Sequence, residues 1–104
     1  MFSKLRSLIF KIDPEVAHNL AIKSLKLNLT THLLDKNKGD PMFKTTLFGK
    51  EIDNPIGMAA GFDKNAEVYN PLFKLGFGFV ETGTVTPLKQ YGNPKPRVFR
   101  LVED

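Results

Sequence analysis

The segment Asn54-Pro55-Ile56-Gly57-Met58-Ala59-Ala60-Gly61-Phe62-Asp63-Lys64-Asn65 constrains this chain more than any other. It reads as a short buried strand, Pro55 to Ala60, that loses its side chains at Ala59-Ala60-Gly61 and ends on a carboxylate beside an amine. Small residues let a flat ligand approach the main chain, because no branched Cβ stands in the way. The charged pair Asp63–Lys64 is then placed to orient a polar group on that ligand. Strands that stop in such loops suit an α/β barrel, whose sites gather at the carboxyl ends of the strands.

The pattern continues in kind. Ala66 to Leu75 carries Val68, Leu72 and Leu75 at helical spacing and stops at Gly76, with Pro71 predicting a kink or a late start. Phe77 to Val85 reads as a second strand. Strand, helix and strand in about thirty residues make one right-handed parallel crossover. The second strand ends in Thr82-Gly83-Thr84, at the same sheet edge as Gly61. Neighbouring strands lie about 5 Å apart, so one ligand can touch both tips. Upstream, Lys44 to Phe48 and Lys50 to Ile52 read as a hairpin turning at Gly49. Downstream, Gln90 to Pro96 reads as a loop, and Arg97 to Leu101 alternates as an exposed strand does.

The first 38 residues have a helical period. Phe2, Leu5, Leu8, Ile9 and Ile12 share one face. Asp13-Pro14-Glu15 then ends one helix and starts another, with Asp13 as N-cap, Pro14 at the first helical position and Glu15 facing the positive end of the dipole. Val16, Ala17, Leu20, Ala21, Ser24 and Leu25 form the second stripe, with His18, Ile22 and Leu29 on its flank. Two such short helices carry more apolar surface than they can hide from each other. It rests on the remaining protein, on a partner, or on a lipid surface. Thr30 to Asp40 reads as a connector.

Composition excludes several classes. With no cysteine there are no disulfides or thiolate metal sites, and two histidines, His18 and His32, make no metal cluster. The net charge of +4 suits a solvated surface or an anionic lipid face. No arginine-rich run supports nucleic-acid binding. No segment reaches the roughly 20 apolar residues that span a bilayer, so membrane contact is expected to be peripheral. Two parallel strands cannot bury both faces of a sheet, and Phe62, Phe73, Phe77, Phe79 and Val80 call for partners from further barrel units. Closing eight such units takes about 250 residues, so the chain reads as the leading part of a longer barrel.

Each candidate has an ordinary reading beside the chemical one. Ala59-Ala60-Gly61 is a packed turn or a platform for an aromatic ring system. Lys64 is an exposed turn residue or the cation that stabilises negative charge on a ring or a substrate. Thr84 is a strand end or a hydroxyl and N–H donor. His18 and Arg100 are anonymous by themselves. No Ser/His/Asp set or nucleotide loop is present, and Gly76-Phe77-Gly78 precedes a strand instead of following one.

Four motifs in order resemble the quinone-dependent (class 2) dihydroorotate dehydrogenases. They are Asp13-Pro14-Glu15-x-Ala17-His18, Asn54-Pro55-x-Gly57-x-Ala59-Ala60-Gly61-Phe62-Asp63-Lys64, Gly76-Phe77-Gly78-x-x-Glu81-x-Gly83-Thr84-Val85-Thr86-Pro87, and Gly92-Asn93-Pro94-Lys95-Pro96-Arg97-Val98-Phe99-Arg100-Leu101. The resemblance implies an α/β fold. A helical hairpin over residues 1–40, associated with membrane and quinone, precedes the first βα units of an FMN-binding TIM barrel over residues 41–104, incomplete in this chain. It implies oxidation of dihydroorotate to orotate in pyrimidine synthesis, with a membrane quinone as acceptor. Ala60, Gly61, Phe62, Asp63, Lys64 and Thr84 are then expected to line FMN. Lys64 also meets the substrate carboxylate, and His18 and Arg100 stand at the quinone end. The family's serine base and phosphate loops come later than Asp104, so the 104 residues alone are expected to be inactive. Lys89 departs from the family's more proline-rich loop. The expected location is the membrane face of the bacterial cytoplasm, or the mitochondrial inner membrane in a eukaryote. The competing readings are a soluble class 1 type enzyme and a non-enzymatic membrane-binding module.

Overall fold

The computed structural model describes residues 2–29 and 39–101, with side chains from Leu5 onward in the first helix. Most of the predicted connector, His32 included, lies outside the described residues. By compactness the chain divides into residues 1–21 with 86–104, and residues 22–85.

In the first unit, helix α1 (Phe2–Ile9) is followed by two turns and by helix α2 (Pro14–Lys26), whose C-terminal part belongs to the second unit. The boundary between the helices forms as its residues dictate. The Asp13 carboxylate accepts from the N–H groups of Glu15 at 3.0 Å and Val16 at 3.1 Å, satisfying donors that a helix start leaves open. Leu5, Leu8, Ile9, Ile12, Val16 and Leu20 are all exposed, so the described part of the α1 stripe and part of the α2 stripe remain uncovered, while Leu25 is buried. Segment 97–101 is irregular and not the predicted strand. Alternation alone makes no strand without a ladder partner, and none exists among the described residues. Arg97 and Arg100 instead bond to residues 10–15.

The second unit opens with a 3₁₀ turn, Pro41–Phe43, capped by Asp40, whose carboxylate accepts from the Met42 N–H at 2.9 Å. Strands β1 (Thr45–Leu47) and β2 (Lys50–Ile52) pair antiparallel, with Thr46 opposite Glu51. Their turn is Phe48-Gly49, with φ of 49° and 75°, the left-handed pair that matches strand twist. Strand β3 (Gly57–Met58), helix α3 (Tyr69–Lys74) and strand β4 (Phe79–Val80) form the predicted parallel crossover, Gly57 opposite Phe79 and Met58 opposite Val80. Helix α3 starts late, so Pro71 falls in its first turn, where a missing N–H costs nothing.

Both strands are shorter than their apolar runs. A two-residue ladder is what remains when each strand has one neighbour. The ladder is extended by the Gly78 N–H donating to the Ile56 carbonyl and the Glu81 N–H to the Met58 carbonyl, each at 2.9 Å. The core of this unit is small. Leu25, Val68 and Leu72 are buried, with Ile22, Met58, Phe62, Leu75, Phe77 and Val80 packed around them. Complete burial of Val68 and Leu72 contributes roughly 1.5–3 kcal/mol each. Phe73 stays about half exposed, as expected of a face awaiting further structure.

Candidate active site

The loop after β3 is built from its main chain outward. The Phe62 N–H donates to the Ala59 carbonyl at 3.2 Å, closing a turn over Ala60 and Gly61. Asp63 follows, only 1 % exposed. Its carboxylate accepts from the Glu67 N–H at 2.7 Å and the Val68 N–H at 2.9 Å. One side chain thereby fixes the whole return from strand to helix. The expected charged pair is thus corrected. The carboxylate is turned inward to anchor the loop, and Lys64 alone stands exposed at the edge. The carboxylate exchanges water for two main-chain donors, and these charge-assisted bonds keep both the acid and the N–H groups satisfied inside.

The second strand tip comes against the first. The Gly83 N–H donates to the Asp63 carbonyl at 3.1 Å. A Cβ at Gly83 would collide with the carbonyl of Lys64, so a glycine is required for this approach. Ala60, Gly61, Phe62, Lys64 and Thr84 are therefore gathered at one end of the β3–β4 pair. Gly61 faces open space: a Cβ there would meet nothing within 4 Å. Gly61, Lys64 and Thr84 are exposed, while Ala60 and Phe62 are half-buried. The arrangement is a bare main-chain ledge flanked by one cation and one hydroxyl. Such a ledge fits a flat, electron-poor ring with anionic or carbonyl edges.

Two interactions around this unit were not anticipated. Lys26, at the end of α2, forms an ion pair with Glu67. Lys26 first, and then Asn65, hold the Glu67 carboxyl below the usual carboxylate range. Asn54 ties the strand starts together, donating to the Gly76 carbonyl at 2.8 Å and accepting from the Ile56 N–H at 3.0 Å. The sequence signals were there: an acid four and five residues before an apolar helical run, and an Asn before a proline.

His18 and Arg100 lie in the first unit. His18 is half-buried on α2. Arg100 donates to the carbonyls of Phe10 at 3.2 Å and Ile12 at 3.3 Å, and its guanidinium lies 4.5 Å from the Phe10 ring centre. It thus satisfies two carbonyls of the turn between α1 and α2. Among the described residues no group of acids and histidines is placed to hold a metal.

The likeness to known proteins agrees with this geometry. The family described as dihydroorotate dehydrogenase matches residues 42–104. A dihydroorotate dehydrogenase (quinone) of Rhodospirillum rubrum is 57% identical over 97 residues, 93% of this chain and 26% of its own length. One of Agrobacterium fabrum is 55% identical over 96 residues, 92% of this chain and 26% of its own. Ligand-free DHODH from Eimeria tenella superposes with a TM-score of 0.74 at 46% identity, covering 85% of this chain and 24% of that one. The ferulenol complex of the same enzyme gives 0.73 at the same identity, over 85% and 23%. The chain spans about a quarter of the length of the curated relatives it matches. With its crossover unit, its ledge of small residues and these identities, the chain belongs to the dihydroorotate dehydrogenase family.

Proposed function

We propose that this chain supplies the N-terminal part of a membrane-associated, FMN-dependent enzyme that oxidises dihydroorotate to orotate in pyrimidine synthesis and passes the electrons to a quinone. The observation that carries the reading is the joining of the two strand tips through Gly83 and the Asp63–Lys64 main chain. The crossover unit is then the opening of a TIM barrel, and helices α1 and α2 form the hairpin that touches the membrane. Bound FMN supplies a hydride acceptor. Ala60 and Gly61 give the ring an unobstructed floor, and Phe62 lines its side. Asp63 holds the loop from within, and Thr84 offers a hydroxyl at the neighbouring tip. Lys64 stabilises negative charge at the ring and fixes the substrate carboxylate as a point charge. The proton-accepting serine and the phosphate-binding loops come from residues beyond this chain.

The helices support the quinone reading over a soluble relative. Leu5, Leu8, Ile9, Ile12, Val16 and Leu20 are exposed, and Arg100 bonds to the carbonyl of Phe10 just past α1. Among the described residues no helix is long and apolar enough to cross a membrane. The location that goes with this reading is the cytoplasmic side of a bacterial inner membrane, or the mitochondrial inner membrane in a eukaryote. Residues 1–104 alone are expected to retain no FMN and to reduce no dye with dihydroorotate; turnover by this piece would refute the division of labour. In a complete enzyme that carries this chain, Lys64→Ala should lose both substrate and flavin affinity. Unchanged kinetics would remove Lys64 from the site.

A further inference from the structure

Glu15 lies in the first turn of α2, but Asp13 already caps that helix. The Glu15 carboxylate serves a distant segment. Arg97 donates to Glu15 Oε1 from Nε at 3.2 Å and from Nη2 at 3.0 Å, and Lys95 Nζ lies 3.3 Å from the same oxygen. The remaining arm of Arg97 donates to the carbonyls of Tyr91 at 3.0 Å and Asn93 at 3.4 Å. Gly92 stands at φ 75°, and a Cβ on it would press to 2.7 Å from Arg97 Nη1. A single guanidinium therefore closes the loop 91–97 on itself and ties it to α2. The Glu15 side chain is only 16% exposed. That partial burial pushes its carboxyl up, but Arg97 and Lys95 outweigh it and hold the group below the usual range.

Three residues after Arg97, the same segment carries Arg100 to the carbonyls of Phe10 and Ile12. On α2, Glu15 and His18 are also three apart and share a helix face. We propose that Glu15 and Arg97 are positioning residues for the acceptor end of the reaction: their ion pair sets segment 97–101 against the start of α2 and so fixes Arg100 at the end of α1. This inference rests on the quinone reading. Neither Glu15 nor Arg97 touches the acceptor. They act through Arg100, whose own bonds to two carbonyls do not hold the segment in register without the clamp.

The test uses a complete enzyme carrying this chain, with decylubiquinone as acceptor. Two readouts separate positioning from general damage. One is the bleaching of flavin absorbance by dihydroorotate with no acceptor present. The other is the KM for decylubiquinone, with its equilibrium binding measured alongside. Arg97→Ala and Glu15→Gln should raise the KM and weaken binding about tenfold, the size of one hydrogen bond to a charged group. Flavin bleaching and kcat should change little. Glu15→Gln keeps the shape of the side chain and carries the test if Arg97→Ala does not fold. Arg97→Lys should recover part of the loss, since a point charge replaces a fork. An unchanged KM and affinity, or equal losses in both half-reactions, would overturn the clamp. If the unaltered enzyme bleaches but passes no electrons to decylubiquinone, the quinone reading fails instead.

Discussion

Asp63→Ala should damage the loop after β3 more than any exposed substitution near it. The carboxylate holds two N–H groups, that of Glu67 at 2.7 Å and that of Val68 at 2.9 Å. Val68 is fully buried, so its orphaned N–H finds no water. Glu67 is exposed, and solvent repairs most of that loss. A hydrogen bond to a charged group is worth roughly 1.5–3 kcal/mol, so one full loss and one partial loss total roughly 3–4 kcal/mol. Asp63→Asn retains an acceptor for one N–H but turns its amide toward the other, and should cost roughly half as much. The assay is thermal unfolding of a complete, FMN-free enzyme carrying the substitution, with FMN affinity read from the quenching of its fluorescence. At about 2–4 °C per kcal/mol for a domain of this class, the alanine variant should melt many degrees lower and bind FMN weakly. A midpoint within about 1 °C of the parent, with FMN affinity intact, would show that the loop does not depend on this anchor.

Other consequences are simpler. Gly83→Ala should force the strand tips apart, since its Cβ meets the Lys64 carbonyl; FMN affinity and melting temperature should fall together. Gly61→Ala has open space around it and should leave the melting temperature alone while weakening FMN, a split that equilibrium titration against thermal melting reveals. Phe48→Asn should stabilise the protein by about 1 kcal/mol, because Asn tolerates the left-handed φ of 49° far better than an exposed Phe; a denaturant midpoint measures it. The depressed Glu15 carboxyl stabilises the folded state above its ordinary value of 4.5, and that contribution fades as pH falls through the lower folded value. Glu15→Gln should therefore flatten the acid limb of stability against pH, and an unchanged limb would deny the pair any role.

Local chemistry was the most legible part of the chain. Asp13-Pro14 announced a helix start and Pro71 a late one, since caps and prolines act through neighbours a few residues away. The parallel crossover was readable from the change of period. Asp beside Lys looks like a surface pair, whereas the Asp63 carboxylate turns inward to the N–H groups of Glu67 and Val68, which no dipeptide reveals. Arg97 to Leu101 looked like a strand because alternation reports exposure and not pairing. Its real partners, Phe10, Ile12 and Glu15, lie more than 80 residues upstream. The resemblance singles out Lys64 and Arg100 but says nothing of their surroundings: Gly83 bonds to the Asp63 carbonyl beside Lys64, and Arg97, three residues before Arg100, bonds to Glu15.

The most direct test is a crystal structure of a complete enzyme carrying this chain with FMN bound. The ring is expected to lie against the main chain of Ala60 and Gly61, with Lys64 Nζ at about 3 Å from a ring or substrate oxygen. A ring bound elsewhere in the barrel, or a Lys64 side chain directed into solvent with the site filled, would contradict the account.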